Sequence, residues 1–148
     1  MSRSGYYESD NCDQWSLIMW RGAVARAIRG RRGQSFLHEL RDAIEEMTNK
    51  RLIADELVQA VEICGVDGDP LVARVEACAL GIVALRRGMD TSKINFEDYD
   101  NIHAPFGIAN ALAREIIWEN DESLPHPKTP EERWRKVRWW VEANIKRN

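Results

Sequence analysis

The residues able to do chemistry fall into four groups along this chain of 148 residues. Arg21, Arg26, Arg29, Arg31 and Arg32 are five arginines within twelve residues, with no acid among them. Guanidinium forks gathered at a helix end suit phosphates or a carboxylate patch on a partner. The same cations also suit the C-terminal dipole of one helix and ion pairs across a hairpin with Glu39, Asp42, Glu45 and Glu46. The second group is acidic. Between Asp90 and Glu122, eight acids (Asp90, Glu97, Asp98, Asp100, Glu115, Glu119, Asp121 and Glu122) face two bases, Lys93 and Arg114. Such a surface can mimic phosphate and occupy a partner's basic channel, or it can be an ordinary solvated face.

The third group, Phe106 to Ile116, reads as helix, glycine turn and helix, the outline of a helix-turn-helix. Asn110 and Arg114 are its main base readers, whereas Glu115, Glu119, Asp121 and Glu122 would repel phosphate, so helix packing accounts for it better. The fourth group is C-terminal, where Trp134, Trp139 and Trp140 interleave with Arg133, Arg135, Lys136 and Arg138. Basic residues among aromatics can stack and clamp single-stranded nucleic acid or anchor a protein interface; most of these rings belong in a core, but a single helix cannot turn all three inward, so at least one is expected at a rim or interface. Catalytic patterns are sparse. His38, His103 and His126 are far apart, no metal-ligand spacing, phosphate-binding glycine loop or nucleophile elbow occurs, and Asp67-Gly68-Asp69 is too short for a calcium loop. No metal, no cofactor and no catalytic residue is expected.

These groups must be positioned by helices. With 44% hydrophobic and 30% charged residues and no apolar run of about 18, the chain reads as a globular protein outside the membrane. Residues 1–11 read as a flexible arm without the apolar stretch of an export signal, and residues 12–148 as one domain. Cys12, Cys64 and Cys78 are an odd set without C-x-x-C spacing, which favours reduced thiols and a cytoplasmic setting. A net charge of −3 gives no global attraction to nucleic acid.

Helical periodicity predicts a first helix from an Asp13 cap to Gly30, a tight break bracketed by Gly30 and Gly33, and a second helix through Phe36, Leu37, Leu40, Ile44 and Met47. Leu52–Val61 fits a third helix, although Val61–Cys64 alternates like a short strand. Leu71–Arg87, after a turn at Asp67–Pro70, reads as the central helix. A short helix from Thr91 or Asn95 through Tyr99 and Ile102 and a helix over Ile108–Asn120 follow. The last helix carries the clearest start: Thr129 as cap, Pro130 in the first turn, and Glu132 three residues after the cap. The expected fold is a mainly α, single-domain bundle of about five to seven helices joined as short-loop hairpins.

Several segments carry a resemblance: Ser4-Gly5-Tyr6, Trp20–Val24, Ala27–Gln34, Lys50–Ala54, Cys78–Gly81 and Phe106–Ile116. Through them, most of the chain resembles a family of small proteins encoded by bacteriophages and prophages. Asp55–Ala77 is longer than that family leads one to expect, as though an element had been added. The resemblance implies a phage gene product acting in a bacterial cytoplasm in an accessory role, including interference with host defence, and it implies no catalytic residue. The expected function is therefore binding of a host or phage protein through a charged surface, with Glu97, Asp98, Asp100, Glu115, Glu119, Asp121 and Glu122 as the face. The alternative is nucleic-acid binding through Arg26, Arg29, Arg31 and Arg32, joined by Arg135 and Arg138 if the Gly30–Gly33 turn lies beside the last helix.

Overall fold

The computed structural model describes residues 14–64 and 70–147, and the protein is mainly helical. The expected arm, the Asp13 cap and the turn residues 67–69 lie outside the described residues. Helix α1 spans Gln14–Arg29 and α2 spans Arg31–Glu46. The break is at Gly30 alone, in extended conformation (ψ 162°), and Gly33 lies within α2 rather than closing a loop. A Cβ at Gly33 would stand 1.8 Å from the Ala27 carbonyl oxygen, so this glycine lets α2 pack against the last turn of α1. The apolar positions of α2 turn inward as its periodicity requires, with Phe36, Leu37, Leu40, Ala43 and Ile44 buried.

Two helices expected next are corrected. Residues 51–57 form an irregular connector followed by strand β1, Val58–Cys64; β2 is Pro70–Ala77, and only Ala79–Arg86 remain helical, as α3. The strands pair antiparallel from Val58↔Ala77 to Cys64↔Pro70, with a bulge at Val61/Glu62. The connector's backbone is satisfied by distant partners, not by its own next turn. Leu52 N donates to Pro130 O (3.1 Å), Ile53 N to Ala77 O (3.1 Å), and Leu57 O accepts from Cys78 N (3.0 Å). Asp55, in the left-handed region at φ 66°, also breaks any helix there.

The expected short helix through Tyr99 and Ile102 is replaced by a 3₁₀ turn at Thr91–Lys93, capped by Asp90, then turns, then α4 at His103–Phe106. Gly107 (φ 71°) ends α4, and α5 runs Asn110–Asp121. Helix α6, Pro130–Asn144, starts at its encoded cap: Thr129 Oγ1 accepts from Glu132 N at 3.1 Å. The Glu132 carboxylate reaches back one residue further than a capping box requires, to Lys128 N at 2.7 Å.

The core joins α2, α3, α5 and α6, with Leu37, Leu40, Leu80, Val83, Leu112, Ile116, Val137 and Val141 essentially without solvent contact. Asn120 is buried among them with its polar atoms satisfied. Its side chain accepts from Ala79 N (3.0 Å) and donates to Ile53 O (2.8 Å), tying α5 to the start of α3 and to the connector. Cys78 is buried and free and caps α3, accepting from Gly81 N. Among the described residues, no helix is long and apolar enough to cross a membrane.

Candidate functional site

The arginine group is arranged around one turn. Arg26 and Arg29 occupy the last turn of α1, where cations complement the helix dipole. Arg31 and Arg32 open α2, where they oppose it, and that first turn has neither an acidic residue nor a side-chain cap. All four side chains are exposed, and none makes an ion pair among the described residues. The acids expected to neutralise them are held by other partners. Glu39 takes Arg87 in a two-pronged contact (2.5 and 2.9 Å), Glu46 takes Arg86 (3.1 Å), Glu45 takes Arg138 (2.5 Å) and Asp42 takes Arg41 (3.5 Å). The reason is distance: Glu45 and Glu46 lie ~20 Å down the axis of α2 from Arg31 at 1.5 Å per residue.

The C-terminal end of α6 docks beside this turn. Gln34 Nε2 donates to Ile28 O (2.7 Å) and to Asn144 O (3.0 Å), while its Oε1 accepts from Lys146 N (2.8 Å). Lys146 Nζ then donates to Arg29 O at 2.7 Å, which adds a fifth cation to the four arginines. The alternative reading asked whether the turn lies beside the last helix, and it does, but its partner residues change. Arg138 is engaged by Glu45, and Arg135 is exposed ~13 Å along α6 from Asn144. Lys146 and the organising Gln34 escaped the sequence reading; a lone Gln following an Arg/Gly turn was the available signal. Next to the turn, Arg31, Arg32, Ser35, Glu39 and Arg87 line a cavity of about 310 Å³.

The acidic group does not form one face. Glu97 and Asp100 are exposed and Asp98 is half-buried, accepting from the Asn101 amide at 3.0 Å. Glu115 is a correction: it is 1% exposed, and Arg21 holds its carboxylate at 2.8 Å. It lies one helical turn from both Ala111 and Leu112, on the buried stripe of α5, so its charge points into the protein. Glu119 follows one turn later, half-buried, and burial pushes its carboxyl above the usual range although Ser123 Oγ donates to it at 3.1 Å. Asp121 is turned to its own chain, accepting from the Asn120 amide at 2.7 Å and Asp55 N at 3.4 Å, and Glu122 is half-buried. The helix-turn-helix outline dissolves likewise. Helix α4 has four residues, and Arg114 lies between the rings of Trp20 (4.5 Å) and Tyr99 (4.9 Å).

On α6 the tryptophans divide as one helix face demands: Trp134 and Trp140 are buried, while Trp139 is 72% exposed. Beside Trp139 a groove of about 730 Å³ runs between α5 and α6, with Trp118, Pro125 and Pro127 among its walls. Lys136 Nζ crosses to the carbonyls of Ser123 and Pro125 and fixes the connecting loop. Its burial draws the amine below its usual pKa, against the opposing pull of Glu119. Among the described residues no cluster of His, Cys, Asp and Glu is placed to hold a metal ion. No family model, no curated protein and no solved structure matches the chain.

Proposed function

We propose that the protein binds nucleic acid, with the basic end built from Arg26, Arg29, Arg31, Arg32 and Lys146 holding the phosphates. The observation that carries this reading is four exposed arginines at one turn, none in an ion pair among the described residues, while every acid on α2 is occupied elsewhere. Cations left unpaired against a helix N-terminus raise the energy of the free protein, and an anionic partner relieves that. Gln34 supports the same reading, since it fixes the ends of α1, α2 and α6 relative to one another and so presets the spacing of the charges. A bacterial cytoplasm is the setting that fits the resemblance to phage-encoded proteins.

The test is affinity for a labelled duplex and a labelled single strand as salt is raised. The wild type should weaken steeply, and the double variant Arg31→Ala, Arg32→Ala should lower the slope of log affinity against log salt by roughly 1.4 to 1.8, for two lost phosphate contacts. Arg86→Ala, whose guanidinium is paired with Glu46, should leave that slope unchanged. Absence of binding even at low salt would remove the reading. A protein partner at Glu97, Asp98 and Asp100 is then the second reading, favoured by the exposure of Glu97 and Asp100 on one loop. Reversing those three charges should abolish recovery of its partner from bacterial lysate.

A further inference from the structure

We infer that the nucleic acid is single-stranded and that one of its bases stacks on Trp139, in the groove between α5 and α6. This rests on the nucleic-acid reading above and goes beyond it, because phosphate contact alone does not distinguish one strand from two.

Trp139 is 72% exposed on a helix whose other two tryptophans are buried, so its ring does no packing work that would explain it. The groove beside it, about 730 Å³, falls within the size range of small-ligand sites, and Trp118, Pro125 and Pro127 offer further flat apolar walls. Its lips are fixed before any ligand arrives. Lys136 Nζ grips the carbonyls of Ser123 and Pro125 on one side, and Glu132 accepts from Lys128 N at 2.7 Å on the other. A preset aromatic slot loses little entropy when a planar ring enters it.

The rim has the charge that a strand requires. Lys128 and Arg135 are exposed and without an ion pair among the described residues, and Arg135 stands one turn before Trp139 on the same side of α6. His126 is exposed at the same lip. Of the two acids in the groove, Glu132 is occupied by Lys128 N. Glu119, half-buried, accepts from Ser123 Oγ at 3.1 Å. Helix α6 then leads from the groove toward the basic end: it continues five residues past Trp139 to Asn144, ~7.5 Å of helix axis, and Lys146 follows two residues later. A strand stacked on Trp139 and followed along α6 runs toward the end where Lys146 lies against Arg29 O. A duplex keeps its bases paired and stacked and offers nothing to the ring.

The experiment measures binding of the full chain to 12-nucleotide oligo-dT, oligo-U and a duplex of about equal length, at low salt. Trp139→Ala should weaken both single strands by about 5- to 150-fold and leave the duplex unchanged, whereas Trp139→Phe should retain most of the affinity. Because Trp139 is exposed, the thermal midpoint of either variant should match the wild type, so a loss of binding is not a loss of fold. Unchanged single-strand affinity in Trp139→Ala, together with weakening by Arg31→Ala, Arg32→Ala, would overturn the stacking site and leave the basic end standing. Equal losses for single strand and duplex would overturn it as well. If sedimentation shows a dimer that Trp139→Ala dissociates, the groove belongs to a second copy and the inference fails. No binding of any oligonucleotide removes both readings together.

Discussion

At the scale of single residues, the acids of α5 have been drawn inward, and this changes what they contribute. Glu115 is buried against Arg21, whose own side chain is 51% exposed, so the pair draws one charged head out of water and leaves the other in it. Glu119 has a different balance, with desolvation outweighing the Ser123 hydrogen bond and the attraction of Lys136. Its folded-state pKa is raised above that of the unfolded chain, so the folded protein binds this proton more tightly. The stabilisation is complete below the unfolded value and is lost as pH rises through the folded one. We predict that Glu119→Gln, which cannot ionise, gains stability relative to the wild type over the interval in which pH rises above the ordinary glutamate pKa of about 4.3. Urea midpoints of the two proteins across that interval check it, and a constant difference would refute it. Glu115 was legible in sequence only by its place one turn after Ala111 and Leu112; charge type alone pointed the other way.

At the scale of elements, the α1–α2 hairpin depends on the absence of one carbon atom. A Cβ at Gly33 would overlap the Ala27 carbonyl oxygen at 1.8 Å, and backbone cannot swing aside as a side chain can. Gly33→Ala should therefore destabilise the protein by about 1 to 3 kcal/mol, as overpacking does. Gly22, in the middle of α1, has the opposite outlook. Its nearest neighbour to a new Cβ is the flexible Arg26 guanidinium at 3.3 Å, so Gly22→Ala should stabilise by up to ~1 kcal/mol through helix propensity. Thermal midpoints that move in opposite directions for the two substitutions are the expected result. Both glycines look alike in sequence, each followed or preceded by Ala, Arg or Gln, and only the approach of α2 to α1 separates them.

At the scale of the whole molecule, Gln34 is the point where the two ends of the domain meet. Its amide holds Ile28 O and Asn144 O, and its carbonyl takes Lys146 N, the last two bonds spanning 110 and 112 positions of chain. Gln34→Ala removes three hydrogen bonds, two of them partly buried, for a loss of about 1.5 to 4 kcal/mol at the usual worth of each. It should also free Lys146 from the Arg29 carbonyl and weaken binding of a single strand at low salt, even where the protein remains folded. Urea denaturation with oligonucleotide titration checks both effects, and full affinity in a folded Gln34→Ala protein would show that the C-terminal end takes no part in the basic surface. The net charge of −3 does not contradict a basic end, because the four acids of α2 are held in ion pairs by Arg41, Arg86, Arg87 and Arg138, and Glu115 of α5 is buried against Arg21.

The amino-acid sequence by itself determined the mainly helical character and the positions of α1, α2, α5 and α6. Their signals are local: an apolar stripe at helical period, Gly30 between two helices, and the Thr129–Pro130–Glu132 start are each complete within a few residues. The segment from Leu52 to Ala77 was decided by tertiary structure. Its apolar residues fit helix and strand alike, and the alternation of Val75 and Ala77 with Arg74 and Glu76 was the quieter signal. Strand pairing prevailed once Ile53 N met Ala77 O and Leu57 O met Cys78 N, contacts between residues too far apart in sequence for any local pattern to encode. The candidate site divides in the same way. Arg26, Arg29, Arg31 and Arg32 were visible as a charge run, whereas their lack of ion pairs among the described residues, the arrival of Lys146 and the exposure of Trp139 depend on how the helices pack. Which surface a side chain reaches is a property of helix packing, and packing is set by the whole chain at once.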